Sequence, residues 1–358
     1  MRNISKTIGL RICCYKLIRL RKIQFEPIHF QFAIINTIRI LKLFKPEIFQ
    51  GNLKRKNYFE GWYFKHVSSD QNQVYAFIPG VSLALDDPHA FIQIINGLSG
   101  ESHYITYPLD QFKWDKKRFF IQIGESIFTD EYIDLKINEP SFSVKGRLNY
   151  SGLTHYPKSL FSPGIMGWYT FIPFMECNHG VVSANHEISG ILDINSIHVN
   201  FNGGKGYIEK DWGISFPECW IWLQSNSFKQ KNASLFISIA KIPWLGNFFI
   251  GFIAFIYFEG KFYKFATYNH SKLIKVNFSG TLLEIELENR NCELNIQAKS
   301  RNSGVLLAPK RGNMNRRIKE SIDSEVSVQL KDKNGFVIFS DHSFGAGLEI
   351  IDEIFKYL

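Results

Sequence analysis

Residues 204–213 read Gly-Lys-Gly-Tyr-Ile-Glu-Lys-Asp-Trp-Gly, and residues 58–65 read Tyr-Phe-Glu-Gly-Trp-Tyr-Phe-Lys. Both stretches are short, aromatic and interrupted by carboxylates. Aromatic residues bounded by turn formers favour strands, and a carboxylate on such a strand is costly to bury without a partner or a chemical role. Side chains alternate between the two faces of a strand. Tyr207, Glu209 and Asp211 therefore share one face, and Ile208, Lys210 and Trp212 the other. In the earlier stretch Glu60, Trp62 and Phe64 lie together. Tyr58-Phe-Glu60 with Trp62 and Tyr207-Ile-Glu209 with Trp212 form a weak repeat whose spacing differs by one residue. The expectation is a duplicated β-architecture, each half opened by an acid-bearing aromatic strand, with acids directed into an apolar cavity.

Outward from these stretches the chain continues as short β-type runs separated by turn signals. Val74–Ile78, Ala90–Ile95, Phe119–Ile123, Tyr132–Ile137, Phe142–Leu148, Leu235–Ala240, Leu282–Leu287, Val326–Leu330 and Gly335–Phe339 are the clearest. A single helical turn is expected near Arg316–Ser321. Thirty-three Phe and 15 Tyr against 12 Pro, in a chain 45% hydrophobic and 21% charged, fit a globular sheet protein better than helix or disorder. With 358 residues, two domains are expected. The division reads as a basic extension over 1–50, an N-terminal β domain over 51–200 and a C-terminal β domain over 201–358, each a barrel or sandwich.

The net charge of +9 invites a nucleic-acid reading, but residues 1–45 hold ten Lys/Arg against one acid, Glu26, so the remaining chain is neutral. Its body lacks the electrostatic footprint of a nucleic-acid binder. Arg11 and Lys16 interrupt the first apolar stretch, which excludes a clean secretory signal. The arm, Arg-rich and acid-poor but with few Ser, is also compatible with organelle targeting. Residues 30–45 read as an amphipathic helix with Arg39, Lys42 and Lys45 on its polar side, suited to an anionic membrane surface or equally to docking on the body. A cytoplasmic or peripheral-membrane location follows. Cys13, Cys14, Cys177, Cys219 and Cys292 show no paired spacing, which fits a reducing compartment and neither a disulfide framework nor a zinc site. Ile242–Phe258 is uncharged but broken by Pro243, Gly246, Asn247 and Gly251, and is too short to span a bilayer as a helix. It reads as two buried strands around a turn, with dipping into a membrane to collect a lipid substrate as the less favoured alternative.

In Cys219-Trp-Ile-Trp-Leu-Gln-Ser-Asn226, the residues Trp220, Trp222, Gln224 and Asn226 share a face: two rings, then two amides. Such a face can line a pocket for a large apolar ligand, although for any single ring core packing is the favoured reading. His179 and His186, with Glu176 or Glu187, lack metalloprotease spacing, and Ser183 lacks a nucleophile elbow. Without a Gly-rich phosphate loop opening a helix, nucleotide binding is not expected. No metal or cofactor is expected.

At these residues the chain resembles the tocopherol cyclase family. The matching pieces are Phe-Gln-Gly at 49–51, Tyr58–Lys65, Pro163–Tyr169, Met175–Ser183, Gly204–Gly213, Trp220–Gln224, Ala308-Pro-Lys-Arg-Gly-Asn-Met and Gly347-Leu-Glu. They run in order over roughly residues 46–352. The resemblance implies two lipocalin-like, calycin-type β-barrel domains and ring closure of a prenylated hydroquinone to a chromanol. That chemistry asks for an acid to protonate the prenyl alkene, aromatic faces to shelter the cation, and a base for the phenolic proton. Asp211 is the first candidate acid, Glu209 the second and Glu60 the third. Trp62, Tyr207, Trp220, Trp222, Gln224 and His179 are the expected substrate-binding residues. Carriage of an isoprenoid without chemistry, and hydration of an isoprenoid alkene, are the alternatives.

Overall fold

The computed structural model describes residues 41–358 apart from residue 231. The helix expected over 30–45 lies outside the described residues except for its last positions, of which 41–43 form a helical turn. Cys13 and Cys14 lie outside as well. Among the described residues, no helix is long and apolar enough to cross a membrane.

The described chain is almost entirely antiparallel β-structure in two sheets. In spatial order the first runs Ser102–Pro108, Pro88–Asn96, Val74–Leu83, Tyr58–Val67, Gly204–Gly213, Cys177–Ile194, Phe142–Ser151, Tyr132–Glu139, Ser126–Thr129, Phe120–Ile123 and Phe112–Trp114. Ile197–Asn200 adds to Cys177–Ile194. The second runs Lys261–Ala266, Asn247–Phe258, Ser234–Trp244, Trp220–Ser225, Val337–Ile350, Asn313–Asp332, Cys292–Lys299, Leu282–Glu288 and Lys272–Ser279, with Gly304–Lys310 on Asn313–Asp332.

Three features differ from the sequence expectation. Neither ladder closes on itself, so the domains expected as barrels are open, curled sheets. The two acid-bearing strands do not open separate halves. They pair with each other in the first sheet, Glu60 opposite Trp212 and Trp62 opposite Lys210, and the chain crosses to the second sheet only at residues 214–219. The helical turn expected at Arg316–Ser321 is strand, part of Asn313–Asp332. Its exposed basic residues Arg317 and Lys319 alternate with the buried Ile318 and Glu320, a period of two that reads as strand once a sheet face is available to bury it.

Each sheet wraps its own core. Trp62, Phe64, Phe77, Phe128 and Trp212 pack inside the first, and Leu235, Ile256, Phe265 and Leu294 inside the second. A third apolar layer, including Tyr63, Tyr207, Trp220, Trp222, Phe236 and Ile322, fills the space between the sheets. The central strands therefore bury both faces, each against a different core. Ile242–Phe258 is the expected pair of strands about a turn at Leu245 and Gly246, both at positive φ, but its tip is exposed rather than buried.

Two lysines are sealed inside this architecture. Lys210 pairs with the fully buried Glu60, donates to the carbonyls of Pro46 (2.7 Å) and Ile48 (2.5 Å), and lies 4.7 Å from the centre of the Trp62 ring. Glu60 also accepts from the amides of Gln50 and Gly51 and from the Tyr58 hydroxyl. The pair thus fastens the entering segment 46–51 onto the first sheet.

Lys65 lies between the sheets and donates to the carbonyl of Gly345 at 2.7 Å. Burial pulls its ammonium down to about 7, against the pull of Glu320 and Glu209. A lysine with a lowered folded pKa binds fewer protons when folded than when unfolded at any pH between about 7 and 10.5. Wild-type stability relative to Lys65→Met should therefore rise as pH increases through that window, by up to several kcal/mol. Parallel urea titrations at pH 7 and pH 10 check this, and a pH-independent difference would contradict it.

Candidate active site

The cavity between the sheets has a volume of about 200 Å³. Its wall is mostly aromatic and aliphatic, interrupted by five carboxyls and one imidazole: Glu176, Glu209, Asp211, Glu320, Glu349 and His179. Backbone register explains the convergence. In an antiparallel pair, residues directly opposite each other project from the same face. Tyr63 stands opposite Glu209, and His179 opposite Asp211. On the second sheet Trp222 stands opposite Glu349, and Glu349 opposite Glu320. The two facing surfaces thereby put Glu209, Asp211, His179, Glu320 and Glu349 into one apolar space.

On the first sheet the His179 ring donates from Nδ1 to Asp211 Oδ1 at 2.9 Å, with its Nε2 3.5 Å from Glu209 Oε2. Burial opposes a charge on this ring, but the Asp211 and Glu209 carboxylates outweigh it and hold the imidazole at about 9. Glu209 Oε2 accepts from the Tyr207 hydroxyl at 2.6 Å and from the Trp222 indole at 3.3 Å. Burial nevertheless raises Glu209 to about 7, with His179, Tyr207 and Trp222 pulling it down and Asp211 pushing it up.

On the second sheet Glu320 is fully buried and accepts from Tyr63 at 2.5 Å, while its Oε2 has no hydrogen-bond partner. Burial, and then the neighbouring Glu349, push its carboxyl well above the usual carboxylate range. Glu349 accepts from the Trp220 indole at 2.6 Å and is itself raised to about 7, chiefly by burial. A Cβ at Gly347 would come within 2.5 Å of the Trp222 ring, so glycine there lets the indole lie flat against its neighbouring strand.

Of the residues singled out in the sequence, Asp211, Glu209, His179, Glu176, Trp220 and Trp222 line the cavity, and Tyr207 supports Glu209 from behind. Glu60 and Trp62 do not reach it. Their face turns into the first sheet's own core, where Glu60 is committed to Lys210. Gln224 is buried away from the cavity, bonded to Asn226 at 3.3 Å. His186 sits in a separate buried cluster, 3.0 Å from Ser183 Oγ. Tyr63, Glu320 and Glu349 were not singled out. Glu320 fell in the segment read as a turn, but Glu349 closes the Gly347-Leu-Glu piece, and a strand reading of either segment would have exposed both.

His179, Glu209 and Asp211 each offer a ligand atom within 4.8 Å of the others. Their mutual ion pair, and the two donors already on Glu209 Oε2, suit a proton-handling cluster.

Comparison with known proteins gives consistent findings. Residues 137–351 match the family described as tocopherol cyclase-like. A probable chloroplastic tocopherol cyclase of Oryza sativa subsp. japonica is 27% identical over 159 residues, covering 40% of this chain and 34% of that protein. A chloroplastic tocopherol cyclase of Zea mays is 26% identical over 145 residues, covering 39% of this chain and 30% of that protein. The matches thus span about a third of the length of these relatives. In fold, the chain resembles the crystal structure of CghA with Sch210972, with a TM-score of 0.54 at 10% identity over 82% of this chain and 88% of that one.

Proposed function

The chain belongs to the tocopherol cyclase-like family, and on that premise we propose that it is an intramolecular lyase closing a prenylated hydroquinone to a chromanol. The observation that carries the proposal is the convergence of raised carboxyls and two indoles on one apolar cavity. Glu320, held neutral and with an uncommitted oxygen, delivers its proton to the CH carbon of the trisubstituted alkene. Positive charge develops on the tertiary carbon, facing Trp222, Trp220 and Tyr63, whose ring faces stabilise cations. The quinol oxygen bonds to that carbon, and its proton passes to the Glu209 carboxylate. His179 and Asp211 keep Glu209 poised to accept it. One C–O bond forms, one proton enters and one leaves, so the product is an isomer of the substrate. Holding ring and alkene together supplies the proximity term.

Purified protein given a prenylated hydroquinone in D2O without oxygen should yield an isomeric chromanol. It should carry one deuterium at the ring methylene derived from the alkene CH, and be predominantly one enantiomer. A product heavier by one water would assign hydration, and tight binding without product would assign carriage.

The same roles set the pH profile. Glu209 must be ionised and His179 protonated, so kcat should rise through about 7 and fall through about 9 as a bell. His179→Gln removes the cation that lowers Glu209, so the acid limb should move to higher pH. An unmoved acid limb would separate His179 from the proton path.

A further inference from the structure

We propose that the rim of this cavity is a membrane-inserting lip that seats the mouth on a lipid bilayer. The inference rests on the proposed reaction only in taking the substrate to be an isoprenoid dissolved in lipid. Ile242, Pro243 and Phe249 form part of the cavity wall, and they belong to the hairpin of Ser234–Trp244 and Asn247–Phe258. At its turn Leu245 is 79% exposed, and Phe248 is 42% exposed. Met166, Tyr169 and Met175 line the cavity from the segment that also presents Trp168, Phe171 and Phe174 to solvent.

The two protrusions are one patch. Phe174 packs on Trp244 at 5.3 Å, and Tyr169 lies 5.8 Å from Phe249 and 4.2 Å from Trp168. Large exposed apolar residues gathered around one opening mark an interaction site rather than the scattered surface hydrophobics of any protein. Backbone conformation adds an independent sign. Leu245 adopts φ 48°, followed by Gly246 at 83°. Asn or Gly fits that position at lower cost, so a leucine there is strained, and it is largely offered to solvent.

A bilayer fits better than other occupants for two reasons. The cavity, at about 200 Å³, is smaller than the roughly 300 Å³ of ordinary ligand pockets. It encloses the reacting end of a prenylquinol and leaves the distal tail at the lip, where hydrocarbon would receive it. The described chain also begins beside the patch, with Phe44 6.4 Å from Phe171. The forty residues preceding it carry eight Lys/Arg against one acid, complementary to anionic headgroups. A second copy of the chain on this patch would instead cover the mouth.

The test is flotation of the full-length protein with phosphatidylcholine vesicles, with and without phosphatidylglycerol, and no substrate. Wild type should float with both, and more strongly with the anionic vesicles. Trp168→Ser/Phe174→Ser/Leu245→Ser should lose binding to neutral vesicles by at least about tenfold. Leu245→Ser alone, at an exposed turn where folding is not at risk, should lose it several-fold. Both variants should turn over a short-tailed, water-soluble prenylquinol like wild type. Wild-type protein that ignores neutral vesicles, or variants that float undiminished, would overturn the lip. A dimer in solution dissociated by Leu245→Ser would assign the patch to a second copy and overturn it too. Turnover of the soluble quinol reads the reaction separately: its absence alongside normal flotation would refute the cyclase and leave the lip standing.

Discussion

Glu320→Gln should lower kcat for chromanol formation by roughly 10²–10⁴-fold near pH 8, the usual scale for removing a general acid. That corresponds to about 3–5 kcal/mol of transition-state stabilisation. The amide keeps the carboxyl's volume and still offers an oxygen to Tyr63, so fold and substrate affinity should change little. Glu209→Gln should also be impaired, since the phenolic proton loses its acceptor, and Asp211→Asn should act more mildly, by loosening His179. Single-turnover kinetics in D2O separates these roles. Wild-type turnover in Glu320→Gln, with Asp211→Asn or Glu209→Gln inactive, would return the proton donor to the strand Gly204–Gly213, where the sequence alone put it.

The second large effect is on stability. Glu60→Gln leaves the Lys210 ammonium buried without its counter-charge. Breaking such a pair from one side costs about 3–5 kcal/mol. Burial already pulls Lys210 down to about 8 in spite of Glu60, so the lysine should shed its proton more readily in the variant. The deficit in urea midpoint should accordingly shrink between pH 6 and pH 9. Turnover per folded molecule should stay within a few-fold of wild type, because neither residue lines the cavity. A loss of turnover without loss of stability would restore Glu60 to the chemistry.

These two residues mark what the sequence disclosed and what it hid. Period-two alternation correctly grouped Tyr207 with Glu209 and Asp211, and Glu60 with Trp62 and Phe64. It could not tell which group met the cavity, because both faces of these strands are buried and aromatic. Pairing decides that. With Gly61 opposite Asp211, the face carrying Glu60 necessarily meets Lys210 and Trp212. Glu320 was hidden for another reason. Arg316-Arg-Ile-Lys-Glu-Ser is charged enough to read as a solvated turn, and only the adjoining strand Val337–Ile350 shows that its alternate residues are enclosed. Open, curled sheets instead of closed barrels depend on strand order, which no local pattern encodes. The two strands of Ile242–Phe258 were legible from Pro243 and Gly246, whereas the exposure of their tip was not.

The strand Gly204–Gly213 faces the inter-sheet space with Tyr207, Glu209 and Asp211, and the first sheet's core with Ile208, Lys210 and Trp212. Structure and chemistry are therefore interleaved residue by residue along ten positions. Saturation mutagenesis there should sort by parity. Even-numbered positions should lose soluble protein, Gly206 among them, since any side chain would collide with the His186 ring. From 207 to 211, odd-numbered positions should keep the protein and lose its product, whereas Gly213, where a side chain would strike the Glu176 carbonyl, should behave like Gly206. Point substitution can then retune the reaction without touching the scaffold, but deleting one residue would exchange the two faces and forfeit both at once.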